Sequence, residues 1–131
     1  SKKSPAVGKC ALVSVPKTFS RPRVLYWMVQ EIEPLIEKYD VQKIVMKGFE
    51  GKTRNKTFVE RVELEAAIYV VGGKIGMNGI FKKVKSTIAK DLGLKGRGHY
   101  LQTHLDTSVI VGFDSKSDKE KEAILAGWSE L

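Results

Sequence analysis

With 131 residues the chain has the length of one domain, able to bury a core without disulfide or metal staples. Lys and Arg number 23 against 15 Asp and Glu, a formal charge of +8, which points to a polyanionic partner such as DNA or RNA, or to an anionic membrane surface, with a merely soluble basic protein as the bland alternative. A single cysteine, Cys10, excludes an internal disulfide and a thiolate metal cluster; no apolar run approaches the ~20 residues of a membrane span, and Ser1 to Pro5 lacks a secretion signal's apolar stretch, so a soluble, cytoplasmic protein with no membrane partner is expected.

In chain order, Gly8 to Val15 reads as a strand, with Ala11, Val13 and Val15 on one face and Cys10 and Leu12 on the other. Pro16 to Arg21 is a loop, and Ser20 and Pro22 have the chemistry of a helix start. From Leu25 to Ile36 apolar residues recur at spacings of three and four, predicting a one-sided helix to Tyr39, kinked or broken by Pro34 near Glu31 to Glu33. Lys43 to Phe49 is a buried strand that runs into a polar turn. Thr57 and Glu60 have capping-box spacing, so a second helix should open there, apolar nearly all round, and stop at Gly72-Gly73. Ile75 to Met77 reads as a short strand. Ile80, Phe81, Val84, Ile88 and Leu92 form the apolar side of a helix capped by Asn78 and ended by Gly93. Beyond the glycine-rich basic loop Gly93 to His99, Val109 to Phe113 reads as a strand, and Ser117 to Glu120 as a capping box opening a last helix through Trp128. Strands alternating with helices predict a single α/β domain over 1–131, its sheet largely parallel in the second half.

Open α/β sheets keep ligand sites at the carboxyl ends of their strands, and there the chain sets Lys47, then Glu50, Lys52, Arg54 and Lys56. The electrostatics favour an anion. Lys52, Arg54 and Lys56, on alternate positions, form either a phosphate-contacting arm or a solvated loop. Around Lys95, Arg97 and His99, glycines let backbone amides approach a phosphate, Tyr100 can stack on a base, and Lys85 lies on the polar side of the preceding helix. Glu50 is either a metal ligand or a turn carboxylate paired with Lys47 or Lys52, and Glu65 either a buried functional acid or the partner of Arg61. Cys10 reads as a core thiol. Tyr26 and Trp27 read as packing within the monomer or as a patch for a homodimer.

From about Leu25 to the C-terminus, the order of these elements resembles the RuvC resolvase branch of the ribonuclease H-like superfamily. Ile44-Val45-Met46-Lys47 stands where that family has a strand ending in glutamate, Glu65-Ala66-Ala67-Ile68 in its alanine-rich helix, Val84-Lys85 in the next helix, Lys95-Gly96-Arg97-Gly98 in a basic loop and Ser117 to Ala126 in the last helix. The resemblance implies a mixed sheet flanked by helices, with carboxylates on the first strand, the middle strand and the last helix that hold two divalent metals. This chain departs from that pattern. Lys47 replaces the middle-strand acid, a residue that would repel a metal rather than bind it, and Gly8 to Val15 carries no carboxylate. Only about 22 residues precede the first helix, short for three opening strands, so the N-terminal strand set is trimmed or completed by another chain.

The expected function is therefore nucleic-acid binding on a frame with degenerate catalytic carboxylates, needing no cofactor. The alternatives are an active endonuclease using Glu50, Asp114, Asp118 and Glu122 with Mg2+, or an oligomeric interaction module whose charge serves solubility.

Overall fold

The computed structural model describes residues 6–11, 13–48, 55–93 and 107–131, and within them the chain is mixed α/β. In order come helix α1 (Arg21–Lys38), strand β1 (Ile44–Lys47), helix α2 (Lys56–Ile75), strand β2 (Ile80–Lys83), helix α3 (Lys85–Asp91), a short 3-10 helix (Phe113–Ser115) and helix α4 (Asp118–Trp128). β1 and β2 pair in a two-stranded sheet. Bonds from Ile44 N to Gly79 O (2.8 Å) and from Gly48 N to Lys83 O (2.7 Å) hold one register along both chains, as only a parallel pair does. Parallel strands need a crossover, and α2 lies in it. None of the described helices is long and apolar enough to cross a membrane. The chain divides into two compact units, one of Val13–Ile44 and Phe49–Phe81, the other of Ser1–Leu12, Val45–Gly48 and Lys82–Leu131, so each strand passes from one unit into the other.

The first unit is built on α1 packed against α2. Arg21 pairs with Glu63 (3.1 Å) near the start of both helices and Glu33 with Lys74 (3.0 Å) near the end of both, so the two run side by side in the same direction. Val24 and Ile36 of α1, and Ala67 and Val71 of α2, are buried. α1 runs through Pro34 as one helix, so of the expected kink or break the break does not occur. The missing proline donor forfeits one backbone bond, while Ile36 beyond it stays buried and its carbonyl takes Val41 N at 3.0 Å, which keeps the last turns in the helix.

α2 opens on Asn55 rather than Thr57, the Asn55 carboxamide oxygen accepting from Phe58 N at 3.0 Å. It also passes through Gly72-Gly73 instead of stopping there. Gly72 is buried where an added Cβ would collide with the Ile80 side chain, so this glycine serves close packing; termination falls to Gly76, whose φ of 74° is the left-handed C-cap that glycine adopts without strain. Residues 75–77 are thus the end of a helix and its cap, not a strand. Although α2 is apolar nearly all round, Val59, Val62, Tyr69 and Val70 are exposed.

The second unit, with residues 13–15 and 80–81 that adjoin it in sequence, corrects three expectations. Ile80–Lys83 is a strand and not the first turn of a helix, because the carbonyls of Gly79 and Lys83 are taken by β1; α3 starts after Val84 and buries Ile88 and Ala89. Residues 109–113 are not a strand. Ile110 N bonds to Thr107 O and Phe113 N to Ile110 O, closing successive turns, so Ile110 and Phe113, three apart, are both buried while Val111 is exposed. The described part of 8–15 forms no regular structure, with Val13 and Val15 exposed, since an extended segment becomes a strand only beside a partner and the described sheet ends at β1 and β2. Ile88, Ile110, Phe113, Leu125, Ala126 and Trp128 form this unit's core, with Val45, Leu92 and Ile124 packed against it.

α4 opens on the expected capping box: the Ser117 hydroxyl accepts from Glu120 N (3.3 Å), and the Glu120 carboxylate accepts from Ser117 N (3.1 Å). Ser117→Ala is expected to lower stability by about 1 kcal/mol, read as a shift in the urea midpoint at unchanged slope.

Candidate nucleic-acid interface

Because β1 and β2 are parallel, their carboxyl ends share one edge, where Lys47, Lys83 and, two residues beyond Lys83, Lys85 gather. The three lysines have different surroundings. The Lys47 side chain is only 12% exposed; its ammonium donates to Gly48 O at 3.0 Å and lies 3.9 Å from Glu122 Oε2. Lys85, 38% exposed, opens α3 and reaches the other oxygen of the same carboxylate at 3.8 Å. Two ammonium groups therefore converge on Glu122, one per carboxylate oxygen.

Of the acids proposed for metal binding, the described residues include Asp114, Asp118 and Glu122. Glu122 is engaged by Lys47 and Lys85, and a cation held against a carboxylate repels a second one. Asp118 stands one helical turn before Glu122 in the first turn of α4, and Asp114 is an exposed residue of the 3-10 helix. Among the described residues no three His, Cys, Asp or Glu side chains gather as a metal-holding set. Lys56 belongs to the other unit, at the start of α2; it is 89% exposed and 3.6 Å from Glu60. Glu50, Lys52, Arg54, Lys95, Arg97, His99 and Tyr100 lie outside the described residues. Glu65 combines the two readings weighed for it, being buried and 3.9 Å from Arg61.

Lys83 is the residue the sequence did not single out. Read as one more cation on a solvated helix face, it is 8% exposed on a strand, with Asp91 at 2.8 Å, Glu130 at 2.7 Å and its ammonium donating to Ser129 Oγ at 3.1 Å. Burial pulls its pKa down, but hydrogen bonds to Asp91 and Glu130, with their charges, outweigh that and hold it above the ordinary lysine value. A serine beside a lysine can be a nucleophile and its base. Here the lysine keeps its proton, while Ser129, 1% exposed, donates its own to Ala126 O at 2.6 Å, so the cluster is a structural lock.

Cys10 is partly exposed rather than a core residue. Its thiol hydrogen-bonds to the Glu120 carboxylate, which raises the thiol pKa, with desolvation and the carboxylate's charge adding to the effect; the same bond leads the causes that lower Glu120. Cys10 should therefore react with iodoacetamide at pH 8 more slowly than an unhindered peptide thiol. Glu120→Gln keeps the capping geometry and should speed that alkylation, measured by mass spectrometry; an unchanged rate would count against the bond.

Comparison with protein-family models, curated proteins and solved structures finds no match to this chain.

Proposed function

We propose that the chain binds nucleic acid on a ribonuclease H-like frame of the RuvC type whose catalytic carboxylates are degenerate, so that it grips the polyphosphate without cutting it. The observation that carries this reading is the ammonium of Lys47, held at the carboxyl end of β1 against Glu122. In the family it resembles, a carboxylate at that strand end recruits a divalent cation. A lysine there supplies a fixed positive charge in place of the metal and occupies an acid the metal would need. A fixed ammonium attracts phosphate yet has no water to activate and no open coordination site, which separates binding from hydrolysis. Lys85 beside it and the net charge of +8 extend the attraction.

The test measures anisotropy of labelled duplex DNA, single-stranded DNA and RNA from 50 to 200 mM salt, with Mg2+ or with chelator, followed by product gels. Two or more neutralised phosphates should lower affinity at least ~tenfold over that range, and no product should form with Mg2+. Salt-insensitive binding, or none, would overturn the proposal. Mg2+-dependent cleavage lost in Asp118→Asn would replace it with the nuclease reading.

A further inference from the structure

The α1–α2 unit holds a cavity of about 820 Å³, within the ~300–1,000 Å³ of ligand clefts, beside the first turns of α2. Its apolar wall is Val15, Phe19, Val24 and Val59, and Lys17 and Lys56 line it as well. Phe19 is held from one side by the Arg23 guanidinium, 4.0 Å from its ring centre. Arg21 is fixed by Glu60 O and a Glu63 carboxylate oxygen, both at 3.1 Å, and Lys56 lies 3.6 Å from the Glu60 carboxylate, so two cations stand against the two acids of this edge.

We propose that this cavity is a subsite for one unpaired nucleotide of a single strand, its base against Phe19 and Val59 and its flanking phosphates on Lys17 and Lys56. The inference deepens the nucleic-acid reading and rests on it. An apolar concavity offers nothing to a duplex, whose base faces are stacked away inside. A base out of the stack presents the two surfaces this hollow matches, a flat apolar face for the ring and valines, and an edge of amino groups that the Glu60 and Glu63 carboxylates can accept. Charge complementarity agrees, because Arg21 and Lys56 together offset Glu63 and Glu60, and the exposed Lys17, with the 89% exposed side chain of Lys56, gives the cationic flank a phosphodiester needs.

The test compares a labelled deoxycytidine oligonucleotide with a hairpin duplex of equal phosphate number, on the full chain and on two variants. Phe19→Ala removes the stacking ring, and Val59→Trp fills the hollow from an exposed position. The native chain should prefer the single strand about tenfold, and each variant should lose that preference while duplex affinity stays within about twofold and the melting temperature is retained. Equal loss on both substrates, or none on either, overturns the subsite and leaves the broader reading standing. Absence of any nucleic-acid binding removes both. Displacement of the strand by free deoxycytidine monophosphate at equal base concentration overturns the strand-borne source in favour of a free nucleotide.

Discussion

Lys83→Met is expected to destabilise the protein by about 3 kcal/mol and to lower its melting temperature by about 10 °C, the largest loss of stability anticipated for a single polar side chain. The lysine ties β2 to the residue that ends α3, Asp91, and to Ser129 and Glu130 just past α4, so one ammonium joins three elements of its unit. Removing it leaves two carboxylates facing each other across a buried space. The estimate sits at the low end for a broken buried pair, because Asp91 and Glu130 are 35% and 23% exposed and water can take over part of their solvation. Urea unfolding of the triple variant Lys83→Met, Asp91→Asn, Glu130→Gln supplies the internal check. It should recover part of the loss, and a triple variant no more stable than the single one would assign the cost to packing rather than charge.

The same cluster sets the sign of an alkaline limit. Since the folded-state pKa of Lys83 lies above its unfolded value, the cluster's stabilisation is fully present below the ordinary lysine pKa and is lost as pH rises through the folded value. Stability should therefore decline above a pH of about 10.4, and Lys83→Met should flatten that decline. The stability difference between the native chain and the variant, followed from pH 7 to 11, is the relevant measurement; a difference that grew with pH would contradict the assignment.

The parts of this fold legible in the sequence are those whose information is local. α1 shows its apolar spacing, α4 its capping box, and the end of α3 its Gly93, because caps and one-sided helices are specified within a few residues. The failures share a cause. Ile80, Phe81, Val84 and Ile88 fit a helical face as well as a short strand, and what decides is the bonding of Gly79 and Lys83 carbonyls to a strand some thirty-five residues earlier. At residues 109–113 a β-rich composition loses to local turn bonds. The site follows the same rule: Lys47 was legible because it ends an apolar strand, whereas its convergence with Lys85 on Glu122, and the burial of Lys83, depend on contacts across the chain. In composition alone Lys82, Lys83 and Lys85 are indistinguishable.

Charge reversal at the two best exposed of the described cations proposed for nucleic-acid contact should have the largest effect on binding. Lys56 and Lys85 lie in different units, each 3.6 to 3.8 Å from a carboxylate and each with an accessible side chain, whereas Lys47 is largely covered. A phosphate contact shifts log affinity by about 0.9 per decade of salt, so two lost contacts are worth roughly 60-fold at 0.1 M salt before repulsion is added. Lys56→Glu with Lys85→Glu should therefore weaken duplex binding by at least ~60-fold and flatten its salt slope by about 1.8, and weaken single-strand binding by at least ~25-fold with a slope flatter by about 1.4. Lys47→Met should behave differently. It withdraws a covered charge, releases Glu122 from one of its two partners and leaves Lys85 nearer to neutralisation, so it should weaken binding by less than the reversed pair while changing the salt slope little. Equal effects of Lys47→Met and the double reversal would mean that the covered ammonium meets the phosphate directly rather than adding to the field of the strand edge that Lys85 shares.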